Sequence, residues 1–289
     1  MPTVMQMECI GQHEHLLEKN DLVLKRPDHT PLFISQAWLS VKNPDRENVK
    51  WNLLKSILES MFSGTFVAHA SMKYETMLGR FTFSGEAARA MTTNGCVWFD
   101  FCSVPQEDLS KMAAAVRSIP AYISNSSMFI VLAPVAMHER GMEVDVRTWG
   151  GRGWCRMERA VNVLSSDQKP EIVVESPTSK YVVPSKEWLL NPVGRGRFTV
   201  DSDRNALGPV LEGVSSACAR RALANNEISM FRFLTVMKYK ILDGTSIDTK
   251  SDLPFQAWMD SLRFASATDG MDTGWTPLRF AVLSARFVM

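Results

Sequence analysis

The chain has 289 residues, of which 45% are hydrophobic and 22% charged, a globular composition that is long enough for one full core and a smaller second unit. Its 32 basic and 31 acidic side chains leave a net charge of +1, which excludes a dedicated nucleic-acid binder because such proteins need a concentrated basic surface. No apolar run approaches the roughly 18 residues of a membrane span, and residues 1–29 lack the apolar centre of a signal peptide, so we expect an N-terminal tail and a cytoplasmic location.

Four short runs in the first half are rich in apolar and β-forming residues and predict strands at 32–35, 95–100, 127–133 and 171–175. Between them, apolar residues at helical spacing predict helices at 51–62, 109–124 and 153–164, and Pro120 should bend the second helix or end it early. This alternation predicts an α/β fold over residues 30–176, with a mainly parallel sheet of four to five strands flanked by helices. Ligands collect at the carboxyl ends of such strands, where Ser35, Asp100 and Pro134 lie.

The sequence changes in character beyond residue 176. Scattered prolines and a glycine-rich run at 194–196 predict a linker over 177–206, and the run is interpreted as a loop because it lacks the Lys-Ser/Thr of a phosphate-binding loop. Helical spacing then predicts a helical region over 207–289, with helices near 210–223, 228–242 and 253–265. The charged segment 136–151 is long enough to act as a lid or an interaction surface.

The residue types that bind metals are dispersed along the chain. The five cysteines form no CxxC pair, so neither a zinc knuckle nor a disulfide framework is indicated. His13 and His15 flank Glu14, but two potential ligands in a predicted tail are interpreted as a solvated face. We therefore predict no metal site.

Two motifs lie at the ends of the first two predicted strands. The first, Ser35-Gln-Ala-Trp38, resembles a Ser-x-x-Trp motif. The second, WFDFCSVPQ at residues 98–106, resembles Trp-Ile-Asp-x-x-Cys-x-x-Gln with Cys102 displaced by one position. Both patterns are found in fungal heterokaryon-incompatibility (HET) domains.

A third motif opens the 153–164 helix. The run RGWCRME at residues 152–158 resembles Arg-x-Trp-x-x-Gln-Glu of HET domains, with Met157 in place of Gln, and places Trp154 and Glu158 four residues apart. It also resembles the Ser/Trp-Cys-x-x-Glu segment of the related Toll/interleukin-1-receptor (TIR) domains. The resemblance covers residues 30–176 and implies a TIR/flavodoxin-like sheet.

The resemblance implies one of two functions. Some TIR domains only assemble with one another as signalling scaffolds, whereas others cleave NAD at the nicotinamide–ribose bond with a helix glutamate that corresponds to Glu158. Nicotinamide leaves NAD as a neutral molecule and needs no acid, so a single carboxylate that stabilises the oxocarbenium-like ribose is chemically sufficient. NAD would then be the substrate, and no further cofactor is required. The candidate NAD cleft comprises Ser35, Trp38, Asp100, Phe101 and Trp154. Trp38 or Trp154 could form an aromatic wall for the nicotinamide.

Structural interpretations of the two acids stay open alongside the functional ones. Glu158 could be a solvated helix residue paired with an arginine at 152, 156 or 159, and Asp100 could cap its own turn through Ser103. The leading hypothesis is an intracellular signalling or self-assembly module that acts through protein partners, and NAD hydrolysis is the alternative.

The last motif, GWTPLRFA at residues 274–281, resembles the start of an ankyrin repeat, Gly-x-Thr-Pro-Leu-His-x-Ala, with Arg279 at the His position. In that motif Thr276 and Pro277 begin a helix, and the resemblance implies a protein-binding region. One repeat cannot bury its own apolar face, so the single copy suggests a longer ankyrin-containing protein. The apolar residues expected to be exposed or to pack on the preceding helices are Phe280, Val282, Leu283, Phe287 and Val288.

Overall fold

The computed structural model of the protein describes residues 2–247, 249, 253–270 and 274–284. The strands are β1 (Thr30–Ser35), β2 (Ala68–Ala70), β3 (Thr82–Phe83), β4 (Gly95–Phe99), β5 (Met128–Leu132), β6 (Ala136–Met137), β7 (Glu143–Val144), β8 (Glu171–Val174) and β9 (Lys180–Val183). The helices are α1 (Pro2–Gln6), α2 (His13–Glu18), α3 (Val49–Ser63), α4 (Met72–Leu78), α5 (Gly85–Ala90), α6 (Asp100–Ser103), α7 (Leu109–Arg117), α8 (Ile119–Ser124), α9 (Val146–Gly150), α10 (Gly153–Leu164), α11 (Asp203–Ala224), α12 (Ile228–Val236), α13 (Lys238–Ile241), α14 (Phe255–Ser261) and α15 (Pro277–Leu283). None of these helices has the length and apolar character that crossing a membrane requires.

The main sheet has seven strands in the order β3-β2-β9-β8-β5-β1-β4. Strands β4, β1, β5 and β8 are parallel to one another, whereas β9 pairs antiparallel with β8 and β3 antiparallel with β2. The α/β class and the mainly parallel sheet are therefore as predicted, but the expected count of four to five strands was too low. The missed strands β2, β3 and β9 have only two to four residues and lack the long apolar runs of β5 and β8.

Helices cover both faces of the central strands. Leu32 and Ile34 of β1 face a core formed with α3, and Phe33 between them faces a second core formed with α8, α10 and α11. Strands β5 and β8 are buried along their whole length, as expected for strands covered on both sides. Pro120 ends the predicted 109–124 helix early, and α8 restarts directly after Ser118.

The sheet extends beyond the predicted domain boundary at residue 176. Strand β9 lies within the predicted 177–206 linker and joins β8 to β2. The glycine-rich run is a packing contact, because a Cβ on Gly194 would lie 2.2 Å from the backbone carbon of Gly244. Helix α11 packs along α10. The first helix of the predicted helical region is therefore part of the α/β unit.

The predicted N-terminal tail is packed against the α/β unit. Ile10 and Leu16 are buried in the structure, and the carbonyl oxygen of Met7 accepts hydrogen bonds from Trp51 Nε1 at 3.2 Å and Lys55 Nζ at 3.1 Å. Polar residues dominate this segment, which is why its sequence resembled that of a free tail.

The ankyrin-like segment begins a helix as its sequence predicts. The Thr276 hydroxyl accepts a hydrogen bond from Arg279 N, and Pro277 occupies the first turn of α15. Phe280 and Ala281 are buried in a small core with α12 and α14, whereas Val282 is exposed and Leu283 partly buried. Phe287 and Val288 lie outside the described residues.

Candidate functional site

The carboxyl end of β1 meets α10. Strand β1 pairs with β4 on one side and with β5 on the other. The buried hydroxyl of Ser35 donates a hydrogen bond to Glu158 Oε2 and accepts one from Trp149 Nε1 at 2.9 Å. In open α/β sheets, ligands bind outside the carboxyl ends of the strands.

Glu158 lies on the buried face of α10 and is only 8% exposed. The arginines expected as its partners bind elsewhere. Arg159 pairs with Glu171, Arg156 donates to the Gly150 and Pro192 carbonyls, and Arg152 donates to Thr199. The interpretation of Glu158 as a solvated helix residue was therefore wrong.

Burial and, to a smaller extent, the nearby charge of Asp100 raise the pKa of Glu158 to about 8, against the opposing effects of the Ser35 hydrogen bond and the Arg152 charge. The carboxyl group is thus mainly protonated at neutral pH. A group with a strongly shifted pKa at the ligand-binding edge of a sheet is a candidate for function.

Asp100 forms a second polar cluster beside the first. It begins α6 instead of ending β4, and its carboxylate accepts hydrogen bonds from Gln36 Nε2 at 2.9 Å and Trp38 Nε1 at 2.6 Å. Burial raises its pKa, and these two bonds oppose the rise. The Asp100 carboxylate also accepts a hydrogen bond from the Phe101 amide at 2.8 Å, so it binds its own turn. It does not do so through Ser103, whose hydroxyl accepts from the Phe99 amide.

Lys50 completes the cluster, and sequence reasoning missed it. Its buried ammonium donates to Gln36 Oε1 at 2.8 Å and to the Ala37 carbonyl. Burial lowers its pKa to about 8, although the charges of Asp45 and Asp100 oppose the fall. The available signal was its position three and seven residues before Leu53 and Ile57, on the apolar stripe of α3.

The predicted aromatic residues are only partly brought together. Trp38 packs edge-on against buried Phe101, with ring centroids 5.7 Å apart, near Asp100. Trp154 donates from Nε1 to Asp203 at 2.9 Å and so points towards α11. The tryptophan at the Ser35–Glu158 pair is Trp149, whose ring also lies 4.7 Å from the Arg159 guanidinium carbon. It belongs to a helix, α9, that was not predicted.

Two surface cavities lie apart from the residues of these clusters. One of about 320 Å³ is lined by Glu143, Asp145, Arg147, Thr148 and Arg197, and one of about 550 Å³ lies at the amino end of β4. Neither of these two cavities is lined by Ser35, Asp100 or Glu158. Among the described residues, no group of three or more His, Cys, Asp or Glu side chains could hold a metal ion.

Comparison of the chain with family models, with curated proteins and with solved structures found no match. The residues of the two clusters, Ser35–Glu158–Trp149 and Lys50–Gln36–Asp100–Trp38, are therefore the basis on which a function can be proposed.

Proposed function

We propose that the chain is a signalling or self-assembly module of the TIR/HET-like type. Support comes from the four mutually parallel strands, which lie across the sheet in the order β4-β1-β5-β8. This order is similar to that of the first four strands of a flavodoxin-like sheet when β2 and β3, at the far edge, are left out. The observation that carries the proposal is that the motif residues bond to one another. Ser35 binds Glu158 and Trp38 binds Asp100, so these residues hold α10 and the loop after β1 to the carboxyl edge of the sheet.

The β6–β7 hairpin offers a surface for self-association. It is anchored to the loop after β1 through Glu139, whose carboxylate accepts from Val41 N at 2.9 Å. Val135 and Met137 lie on one face of it and are 62% and 61% exposed, and Met142 on the other face is 57% exposed. Clustered exposed apolar side chains are typical of protein-binding sites. In the ankyrin-like segment, Leu278 and Val282 are exposed one helical turn apart and could bind a protein partner in the same way.

Replacing Val135 and Met137 together with serine is expected to weaken self-association at least tenfold, because the hairpin loses most of its apolar contact surface. Sedimentation velocity over a wide range of protein concentration measures the effect. Leu190→Ser, which removes an exposed apolar side chain elsewhere, is the matched control. A wild-type protein that stays monomeric throughout, or a double variant that associates as strongly as the control, would contradict the proposal.

The second candidate function is NAD cleavage, and the position and shifted pKa of Glu158 favour it. A carboxylate that stabilises the ribose cation must be ionised, so release of nicotinamide is expected to rise with pH and to level off above about 8. Glu158→Gln should reduce the rate on the order of a hundredfold, whereas Glu143→Gln on the exposed hairpin should leave it unchanged. Nicotinamide release by the purified protein, assayed with and without a crowding agent, provides the measurement. Absence of release in both conditions would eliminate this function and leave self-assembly.

A further inference from the structure

The N-terminal segment holds the loop that follows β4. His13 Nδ1 lies 3.0 Å from the carbonyl oxygen of Cys102, a contact that the ring satisfies by donating a proton. The Glu14 carboxylate accepts hydrogen bonds from the backbone amides of Gln106 at 2.7 Å and Glu107 at 3.0 Å. Two adjacent side chains of α2 thus bind three backbone groups of one loop.

This loop lies at the carboxyl edge of the sheet. It begins at Asp100, whose carboxylate binds Gln36 and Trp38. Cys102 is partly buried beside the same segment, and the Gly11 amide hydrogen-bonds to its thiol. Burial raises the pKa of this thiol to about 12. The N-terminal segment therefore covers part of the edge where ligands or partners of such sheets bind.

The attachment of the segment is shallow. Of residues 3–29, only Ile10 and Leu16 are buried. Val4, Met5 and Met7 pack against the core only partly buried. The other contacts include hydrogen bonds to backbone groups, such as those that the Met7 carbonyl accepts from Trp51 and Lys55. Water can replace these bonds when the segment separates, so their net contribution is small compared with that of a buried core. Separation of the segment would leave every strand pairing of the sheet in place.

We propose that residues 2–18 form a detachable clasp that opens as a unit while the sheet stays folded, and that its opening exposes the loop at residues 100–107. The clasp is a built-in regulatory contact, since it determines when the carboxyl edge beside Asp100 is accessible. Opening of the clasp can occur whether the function is self-assembly or NAD cleavage, and the experiment below measures neither of these.

Three cysteines allow the opening to be measured in the unmodified chain. Cys9 is exposed and serves as the reference for unrestricted reaction, whereas Cys155 on α10 is buried and reacts only when the fold opens. Cys102 lies under the clasp. Alkylation with iodoacetamide followed by peptide mass spectrometry gives the rate at each site, and reaction requires the thiolate, which opening favours.

The clasp variant is His13→Ala combined with Glu14→Ala. The matched control is His15→Ala combined with Glu18→Ala, which removes the same two residue types from exposed positions of the same helix. We expect Cys102 to react at least tenfold faster in the clasp variant, with Cys155 still protected, and at the wild-type rate in the control. The proposal is overturned if the Cys102 rate is unchanged, if the control accelerates it equally, or if Cys155 reacts in step with Cys102.

Discussion

Replacing Glu158 with glutamine is expected to raise the free energy of unfolding at pH 9 by up to about 5 kcal/mol. It should also remove the fall in this free energy that the wild type shows as the pH rises from 4.5 to 8. The folded pKa of Glu158 is about 8 against an ordinary value of 4.5, and each unit of difference corresponds to about 1.4 kcal/mol. Because the native state holds this proton more tightly than the unfolded state, protonation of Glu158 contributes to the free energy of unfolding. This contribution is fully present below pH 4.5, falls as the pH rises towards 8, and is lost above 8. Glutamine carries no such proton.

Urea unfolding of both proteins between pH 4.5 and 9 checks this expectation. The wild-type curve should approach that of the variant at the acid end and separate from it as the pH rises. Glu59→Gln on the exposed face of α3 controls for the loss of one negative charge. Parallel curves for wild type and Glu158→Gln would show that the buried carboxyl is not the source of the pH dependence.

Replacing Lys50 with methionine is expected to remove a rise of about 3 kcal/mol in the free energy of unfolding between pH 8 and 10.5. Burial lowers the folded pKa of this lysine to about 8 from 10.5, so the native state releases the proton first and the unfolded state keeps it up to pH 10.5. Between these values the unfolded state binds more protons, and the wild-type stability therefore rises with pH. The methionine variant lacks this titration, so its curve should stay flat over the same range.

The slope between pH 8 and 10.5 is the decisive quantity, because the substitution also leaves Gln36 Oε1 and the Ala37 carbonyl without the lysine's hydrogen bonds at every pH. Lys55→Met is the matched control on the same helix and should retain the alkaline rise. A Lys50→Met protein whose stability still rises as the wild type does would place the titrating group elsewhere.

The central part of the fold could be predicted because its segments carry their own signals. The apolar runs of β5 and β8 and the helical spacing in α3 and α10 are local properties of the sequence, and these elements were predicted nearly to the residue. Strand β2 has three residues and becomes a strand only through its partners β9 and β3, which are distant in sequence or equally short. No local pattern marks such a strand.

The candidate site was predictable in its positions but not in its partners. The strand-end rule correctly placed Ser35 and Asp100 at one edge. It could not show that Ser35 binds Glu158, that Trp149 and not Trp154 lies beside them, or that Lys50 supports Gln36, because these choices depend on how α9 and α3 pack in three dimensions. Buried polar partners are determined by tertiary geometry, which the order of residues does not display.

The pairing of β2 with β9 also bears on how the chain can fold during synthesis. His69 lies opposite Tyr181, so β2 must remain without its place in the sheet until more than a hundred further residues have been synthesised. Contacts of such long sequence separation form slowly, and unpaired edges that wait for them are prone to aggregation. Among the strand pairings of the main sheet, β2 with β9 has the longest separation in sequence, so the segment from Ala68 to Phe83 waits longest for its partner.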